Sequence, residues 1–183
     1  MTRAPEIERD RLNPEQQKVH DDILRRIPRP APVRGPFAVM LNAPAVADGA
    51  IRTYTAFRES KLARRLVELM ILVVARHHGA QYEWFAHEPR ALEAGIAPAT
   101  VAAIRERRAP TLTRDDEKLV YDTVTELITT KRLSQASYDR GLALLGLEQL
   151  VELVSGTGFY TMIALTINAF DISVPDGARP LPD

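Results

Sequence analysis

Three ionisable side chains, Glu68, Glu83 and His87, are placed along the sequence where they could form an acid–base site. Glu83 and His87 are four residues apart, so they share one face if the segment is helical. A histidine beside a carboxylate titrates near neutral pH, which is what a general acid or base needs. The same spacing is also common for a structural ion pair, and the residues alone leave both interpretations open.

Glu68 stands in an apolar stretch that is predicted to be helical over 63–78. There it lies either in the core, where burial would raise its pKa, or on the outer face, paired with Arg64 or Arg65. Gly79 is predicted to end this helix, and the next helix carries the other two groups. Antiparallel packing of the two helices would bring all three ionisable groups together.

The absence of certain residue types and motifs excludes several kinds of catalytic and metal-binding site. The chain has no cysteine, which excludes disulfides, thiolate nucleophiles and Cys-ligated zinc. We find no nucleophile elbow around a serine and no Gly-rich phosphate loop. Glu68, Glu83 and His87 are acceptable metal ligand types, but no second histidine stands in firm register with them. We therefore expect neither a metal nor a cofactor, with a metal site kept as an alternative. His77 and His78 are expected to cap a helix end.

The elements that must position these groups are predicted to be helices throughout, because no segment shows the period-two alternation of a strand. Asn13 with Pro14 and Gln16, and Asn42 with Pro44, are typical of helix starts, and Thr113 with Asp116 and Ser134 are expected caps. Helices are predicted over 14–26, from 44 onward, 63–78, from 80 or 81 to before 95, 98–105, from 113 onward, from 134 to about 146, and 147–170. The fold class is all-α, with 63–78 as the central helix of a bundle.

The chain is predicted to form one domain over 1–183. Residues 1–34 would hold the first helix and a proline-rich connector that stays extended as far as Phe37, and residues 173–183 would be a tail. Leu66-Val67-Glu68-Leu69 recurs as Leu150-Val151-Glu152-Leu153, which indicates a possible internal helical repeat.

Charge and hydropathy exclude several classes of partner. The 24 basic and 24 acidic residues give a formal charge of zero, which argues against a nucleic-acid surface. The longest apolar runs, 69–75 and 162–167, are too short to span a bilayer, and no signal peptide is apparent. We expect a cytoplasmic protein without a nucleic-acid or membrane partner.

The stretch from Arg65 to Ile96 resembles the carboxymuconolactone decarboxylase family, which includes the alkylhydroperoxidase D-like proteins. The resemblance rests on Tyr82-Glu83-Trp84-x-x-His87 with Glu68 nineteen residues before the histidine, and it extends from Gly35 to Phe170. It implies an all-helical bundle of the alkylhydroperoxidase D-like type, assembled into trimers or hexamers, with its site near subunit contacts.

The resemblance also implies a site. The peroxidase branch of the family uses a Cys-x-x-Cys motif, whose cysteine positions fall on Ala80 and Glu83, so thiol-dependent peroxide reduction cannot operate here. The decarboxylase branch is cofactor-independent. Carried onto this chain, it implies that His87 donates a proton, that Glu68 orients it and that Glu83 is a third catalytic member. Substrate contacts would come from Tyr82, Trp84, Arg65 and His78.

We therefore expect a cofactor-independent acid–base enzyme that decarboxylates a small lactone or carbonyl acid, or transfers a proton on such a compound. The first alternative is a non-catalytic oligomeric scaffold or small-ligand-binding protein that keeps the family fold. The second is a metal-dependent activity at Glu68, Glu83 and His87.

Overall fold

The computed structural model describes residues 2–4, 7–27 and 33–182. In these ranges the regular structure is helical and no strand occurs, which confirms the all-α prediction. The helices are α1 (Pro14–Arg26), α2 (Pro36–Met40), α3 (Pro44–Arg58), α4 (Arg64–His78), α5 (Gln81–Glu93), α6 (Pro98–Arg105), α7 (Asp115–Thr130) and α8 (Gln135–Ala169), with short 3-10 turns at Arg9–Arg11 and Pro175–Gly177.

Helix α4 is the centre of the bundle, as the sequence predicted. Every residue from 66 to 76 is buried, and α5, α7 and α8 all pack against this helix. A helix that is covered on all sides has no solvent face, which is why its sequence is apolar nearly all round. One continuous hydrophobic core joins α4 to residues as distant in sequence as Leu12 and Leu181.

The turn between α4 and α5 depends on Gly79, which has a left-handed backbone (φ +64°). The N–H of Ala80 donates to the carbonyl of Ala75 at 2.9 Å, which closes the end of α4 in a Schellman-type arrangement. This short turn sends α5 back along α4. Helix α5 continues across Pro89, and it ends at Glu93, before Gly95, as predicted.

Two predicted helix caps are wrong because their side chains are used elsewhere. Asn42 donates from its amide to the carbonyl of Val39 at 2.9 Å, so it closes α2 rather than opening α3. Asp116 pairs with Arg65 on α4, and no side chain caps α7. The caps at Asn13 and Ser134 are confirmed, and the first forms a full capping box.

The predicted proline-rich connector is described only in part, because residues 28–32 lie outside the described ranges. Its expected end is wrong: Pro36 occupies the first turn of α2, where its missing N–H costs nothing. All five residues of α2 are buried.

Helix α8 contains the boundary that was predicted near Gly146, which has non-helical angles (φ 74°, ψ 169°). A Cβ atom on Gly141 would lie 2.8 Å from Leu150, although nine residues of straight helix would separate them by about 13 Å. The chain therefore folds back sharply at Gly146. Farther on, a Cβ on Gly156 would lie 2.9 Å from Met70, so α8 approaches α4 closely at this glycine.

By length and composition, α8 is the one helix of the described ranges that is apolar enough to cross a membrane, and half of its most apolar window is buried in the bundle. A core helix has the same composition. Its acidic residue Glu152 accepts from the Ser60 hydroxyl at 2.9 Å and the Leu62 N–H at 3.1 Å. Glu152 thus fixes the loop before α4, a different setting from that of its sequence counterpart Glu68.

We predict opposite effects of alanine at two glycines. Gly79→Ala should lower the free energy of unfolding by about 1–2 kcal/mol, because alanine is disfavoured at positive φ. The matched control Gly49→Ala, at an exposed position within α3 where an added Cβ meets no neighbour, should raise it by about 0.5–1 kcal/mol. Urea denaturation measures both values. Equal effects of the two substitutions would contradict the role given to the turn.

Candidate active site

The Gly79 turn brings Glu68 and His87 into direct contact. Glu68 lies eleven residues before the turn and His87 eight after it, so antiparallel helices place them at a similar height. The Nδ1 atom of His87 lies 2.7 Å from Oε2 of Glu68. Glu68 is fully buried and His87 is 7% exposed. The contact predicted between these two residues is therefore present, and it lies inside the core rather than on the surface.

Burial determines the protonation state of His87. Loss of hydration lowers its pKa below the ordinary value, and this effect exceeds the opposite influence of the Glu68 hydrogen bond. A carboxylate only accepts hydrogen bonds, so Nδ1 of the neutral ring donates to Glu68. Nε2 then carries a lone pair, and it has no hydrogen-bond partner among the described residues. His87 is arranged to accept a proton at Nε2.

Glu68 also contacts Arg64, one helical turn earlier on α4. The distance from Arg64 Nη2 to Glu68 Oε1 is 2.5 Å. Glu68 therefore bridges a guanidinium and an imidazole. This arrangement combines the two settings that the sequence left open for Glu68, because the side chain is in the core and it is also paired with Arg64.

Glu83 lies one helical turn before His87 and is 2% exposed. Neither of its carboxyl oxygens has a hydrogen-bond partner in the described part of the chain. Burial raises its pKa well above the ordinary value, because a charged carboxylate here would have neither water nor a cation to stabilise it. Glu83 is thus a buried carboxylic acid that retains its proton and can donate it.

Tyr160 of α8 completes the buried cluster and was missed by the sequence analysis. Its ring stands edge-on to that of His87, with 5.6 Å between the ring centroids. Burial raises the pKa of Tyr160 well above the ordinary value, so its hydroxyl stays protonated. Tyr160 lies one helical turn after Gly156, where α8 approaches α4 closely, and no local motif marks its contact with His87.

A cleft of about 530 Å³ adjoins this cluster. Arg58, Arg64 and Arg90 line it, together with one acidic residue, Glu93. Arg64 connects the cleft to Glu68, and the positive charge of Arg90 contributes to the lowered pKa of His87. With three cations and one anion, the cleft is suited to bind a carboxylate group.

Two of the predicted substrate-binding residues lie elsewhere. Arg65 faces α7, where it pairs with Asp116 and with Glu117, the latter at 3.3 Å, so it ties two helices together. His78 is ten residues from Glu68, which along a helix is about 15 Å. It lies at the far end of α4, where its carbonyl accepts from Asn168 at 2.7 Å. The structure therefore places Arg65 and His78 away from the contact between Glu68 and His87, whereas Arg64 lies beside Glu68.

Trp84 and Tyr82 are engaged in packing. The Trp84 ring is fully buried; its Nε1 donates to Glu88 at 2.8 Å, and the Arg105 guanidinium lies 5.8 Å from its ring centroid. The Tyr82 ring lies so close to Gly35 that a Cβ atom there would be 2.6 Å from it. Both residues stabilise the surroundings of α5.

The described residues contain no group of three or more His, Cys, Asp or Glu side chains placed to hold a metal ion. Glu68, Glu83 and His87 do not form such a group. The described ranges therefore offer no set of ligands that would support the alternative of a metal site at these residues.

Comparison with known families supports the resemblance drawn from the motif. The model of the carboxymuconolactone decarboxylase family matches residues 44–117, which run from the start of α3 to the start of α7. Glu68, Glu83 and His87 all lie within this stretch. No curated protein matches the chain.

We predict that Glu83→Gln stabilises the fold at alkaline pH. The folded-state pKa of Glu83 is raised, so its stabilising contribution is complete below about pH 4.5 and is lost as the pH rises towards the folded pKa. Glutamine cannot ionise. The free energy of unfolding of the variant should therefore exceed that of the parent protein by about 1–3 kcal/mol at pH 8. The two proteins should be nearly equal at pH 4.

Urea denaturation across this pH range makes the measurement. The exposed residue Glu59 provides the control, because Glu59→Gln should leave the pH profile unchanged. An equal difference between Glu83→Gln and the parent at pH 4 and pH 8 would contradict a protonated Glu83.

Proposed function

We propose, from the match of residues 44–117 to the model of the carboxymuconolactone decarboxylase family, that the chain is a cofactor-independent acid–base enzyme. Its substrate would be a small lactone or carbonyl acid. The observation that carries the proposal is the buried contact of 2.7 Å between Glu68 and His87, one helical turn from the protonated Glu83. A neutral base and a neutral acid side by side are what proton transfer requires.

The arginines of the cleft provide the binding step. Arg58 and Arg90, with Arg64 beside them, offer guanidinium groups that match the geometry of a carboxylate. A neutral Glu83 does not repel an anionic substrate, which removes the difficulty that a second carboxylate in the site would otherwise create. Binding therefore directs the acid group to the cleft and the rest of the substrate to the buried cluster.

In decarboxylation, the carbon–carbon bond to the carboxylate breaks and carbon dioxide leaves. The electron pair passes onto the neighbouring carbonyl as an enolate. The protonated hydroxyl of Tyr160 is a donor available to stabilise that oxygen. Glu83 then gives its proton to carbon and regains one from solvent. The low dielectric of the buried cluster strengthens each of these interactions.

The same groups can move a proton without loss of carbon dioxide. His87 would take a proton from a carbon next to a carbonyl at Nε2, while Glu68 stabilises the imidazolium that forms. Glu83 would give its proton to another carbon, and both groups would return to their starting states when His87 releases its proton to solvent and Glu83 takes one up. The sequence interpretation made His87 the proton donor, whereas a neutral His87 and a protonated Glu83 assign the first donation to Glu83.

We predict that turnover of small lactone and carbonyl acids depends on this cluster. His87→Ala and Glu83→Gln should each lower kcat by about 10²–10⁴, the range that general acid–base groups contribute. Arg58→Ala should mainly raise KM, because it removes binding common to the ground state and the transition state. His78→Ala is the matched control and should leave kcat/KM unchanged.

Carbon dioxide release and proton exchange at carbon, followed by NMR in D₂O, measure the two reaction types. Binding of these acids without turnover in the parent protein would instead favour a non-catalytic ligand-binding protein. Activity that survives in His87→Ala would eliminate the proposed chemistry.

We also propose that the chain associates with further copies of itself through α8. A stripe of exposed apolar residues follows one face of its second half at helical spacing: Leu147, Val151, Val154, Met162 and Leu165, each 38–59% exposed. Solvent contact of such a stripe is unfavourable, so a second copy that covers it would be stabilised. This agrees with the trimers or hexamers that the family resemblance implies. A cytoplasmic location and the lack of nucleic-acid partners remain predictions.

We predict that Leu165→Asp dissociates this assembly, because it buries a charge in the apolar contact. Light scattering coupled to size exclusion should give a mass of three or six chains for the parent protein and one chain, or a smaller assembly, for the variant. Ala136→Asp, at an exposed position in the first turn of α8 and outside the stripe, serves as the control. A parent protein that is monomeric at high concentration would contradict the proposal.

A further inference from the structure

A second cluster of cationic residues lies at the C-terminal end of α4, away from Glu68. Helices α6 and α7 contribute to the same region, and together the three helices line a small, open pocket of about 170 Å³. Its polar lining comes from Arg76, His77, Arg107, Arg108, Tyr121 and Thr125. No acidic side chain belongs to the lining that the structure describes.

Arg76 is the unusual member of this cluster. It is only 6% exposed, and its Nε atom is buried without a hydrogen-bond partner. Within the described ranges it forms no ion pair. Burial lowers the pKa of Arg76, and the charge of Arg107, which has the same sign, lowers it further. Buried charges in proteins are normally paired, so this guanidinium lacks a partner.

The backbone brings further positive charge to the same place. Arg107 and Lys131 both have left-handed conformations (φ 57° and 67°), which are uncommon for residues other than glycine. They follow the ends of α6 and α7. Burial lowers the pKa of His77, and the charges of Lys131 and Arg107 lower it further. Arg108 has a partner of its own, Glu106, at 2.6 Å.

Helix C-termini favour cations, and this could explain exposed cations at the ends of three helices. It does not explain Arg76. Its side chain is buried in the wall of the pocket rather than extended into water, and its Nε–H faces no acceptor. A bound anion in the pocket would supply the missing opposite charge to the guanidinium.

We propose that this pocket binds a small oxyanion of the phosphate class, either inorganic phosphate or the phosphate group of a monoester. Arg76 and Arg107 would donate to its oxygens, since guanidinium groups match phosphate geometry. The Tyr121 and Thr125 hydroxyls line the same space. A dianion suits a pocket with several cations and no carboxylate, and the small volume fits a single phosphate group. Arg76 lies eight residues from Glu68, about 12 Å along α4, so this site is separate from the proposed active site.

Calorimetry and thermal unfolding with inorganic phosphate test the site, with sodium chloride used to hold ionic strength constant. At a tenfold excess over Kd, phosphate should raise Tm by about 3–6 °C. Arg107→Ala, at an exposed position, should raise the Kd at least tenfold, and Arg76→Met should abolish the Tm shift. Arg11→Ala, an exposed arginine outside the pocket, should leave both values unchanged.

Several results would overturn the proposal. An equal Tm shift with chloride or acetate would show a general effect of anions, and an unchanged Kd in Arg107→Ala would place the phosphate elsewhere. If Arg76→Met fails to fold, the comparison of Arg107→Ala with Arg11→Ala still decides the matter. Phenyl phosphate distinguishes the two sources of the ligand: tighter binding than inorganic phosphate indicates a monoester, and weaker binding indicates the free ion.

Discussion

A carboxylate at the centre of a hydrophobic core is costly unless partners replace the water it has lost. Glu68 occupies such a position, and the surrounding architecture supplies those partners. Arg64 comes from the preceding turn of the same helix. His87 comes from the next helix, and it reaches Glu68 only because Gly79 turns the chain back within a few residues. The turn at Gly79 therefore determines both the packing of α4 against α5 and the position of the ionisable cluster.

Glu83 shows how the same core gives two carboxyl groups different tasks. Glu68 has a guanidinium and an imidazole as partners, whereas Glu83 has no hydrogen-bond partner within the described residues and stays protonated. Uncompensated burial of this kind destabilises a protein, and it is frequent at functional sites because it maintains a group in a state that water would not allow. A core designed for stability alone would place an apolar residue at position 83. The presence of a carboxyl group there favours an acid–base role for the cluster.

Much of this arrangement could be predicted from the sequence, because it follows from local patterns. Helical periodicity located α4 and α5, and the single glycine between them fixed their antiparallel packing. Contacts across long sequence distances could not be predicted in this way. Arg64 rather than Arg65 meets Glu68, since residues four apart share a helix face whereas Arg65 faces α7. Tyr160 is 73 residues from His87 and is brought there by packing. The expected cap at Asn42 failed because its side chain found another carbonyl.

Arg64 and Arg76, near opposite ends of α4, differ in whether the chain provides an acidic partner for the guanidinium. Arg64 has its carboxylate four residues later, at Glu68. The corresponding neighbours of Arg76 are Leu72 and Ala80, so its own helix surface offers no acid. The adjoining ends of α6 and α7 contribute Arg107 and Lys131, which add positive charge rather than neutralise it. Because a methionine or leucine would fill a buried position without the cost of desolvation, a guanidinium at 76 is best accounted for by an anion that the chain itself does not supply.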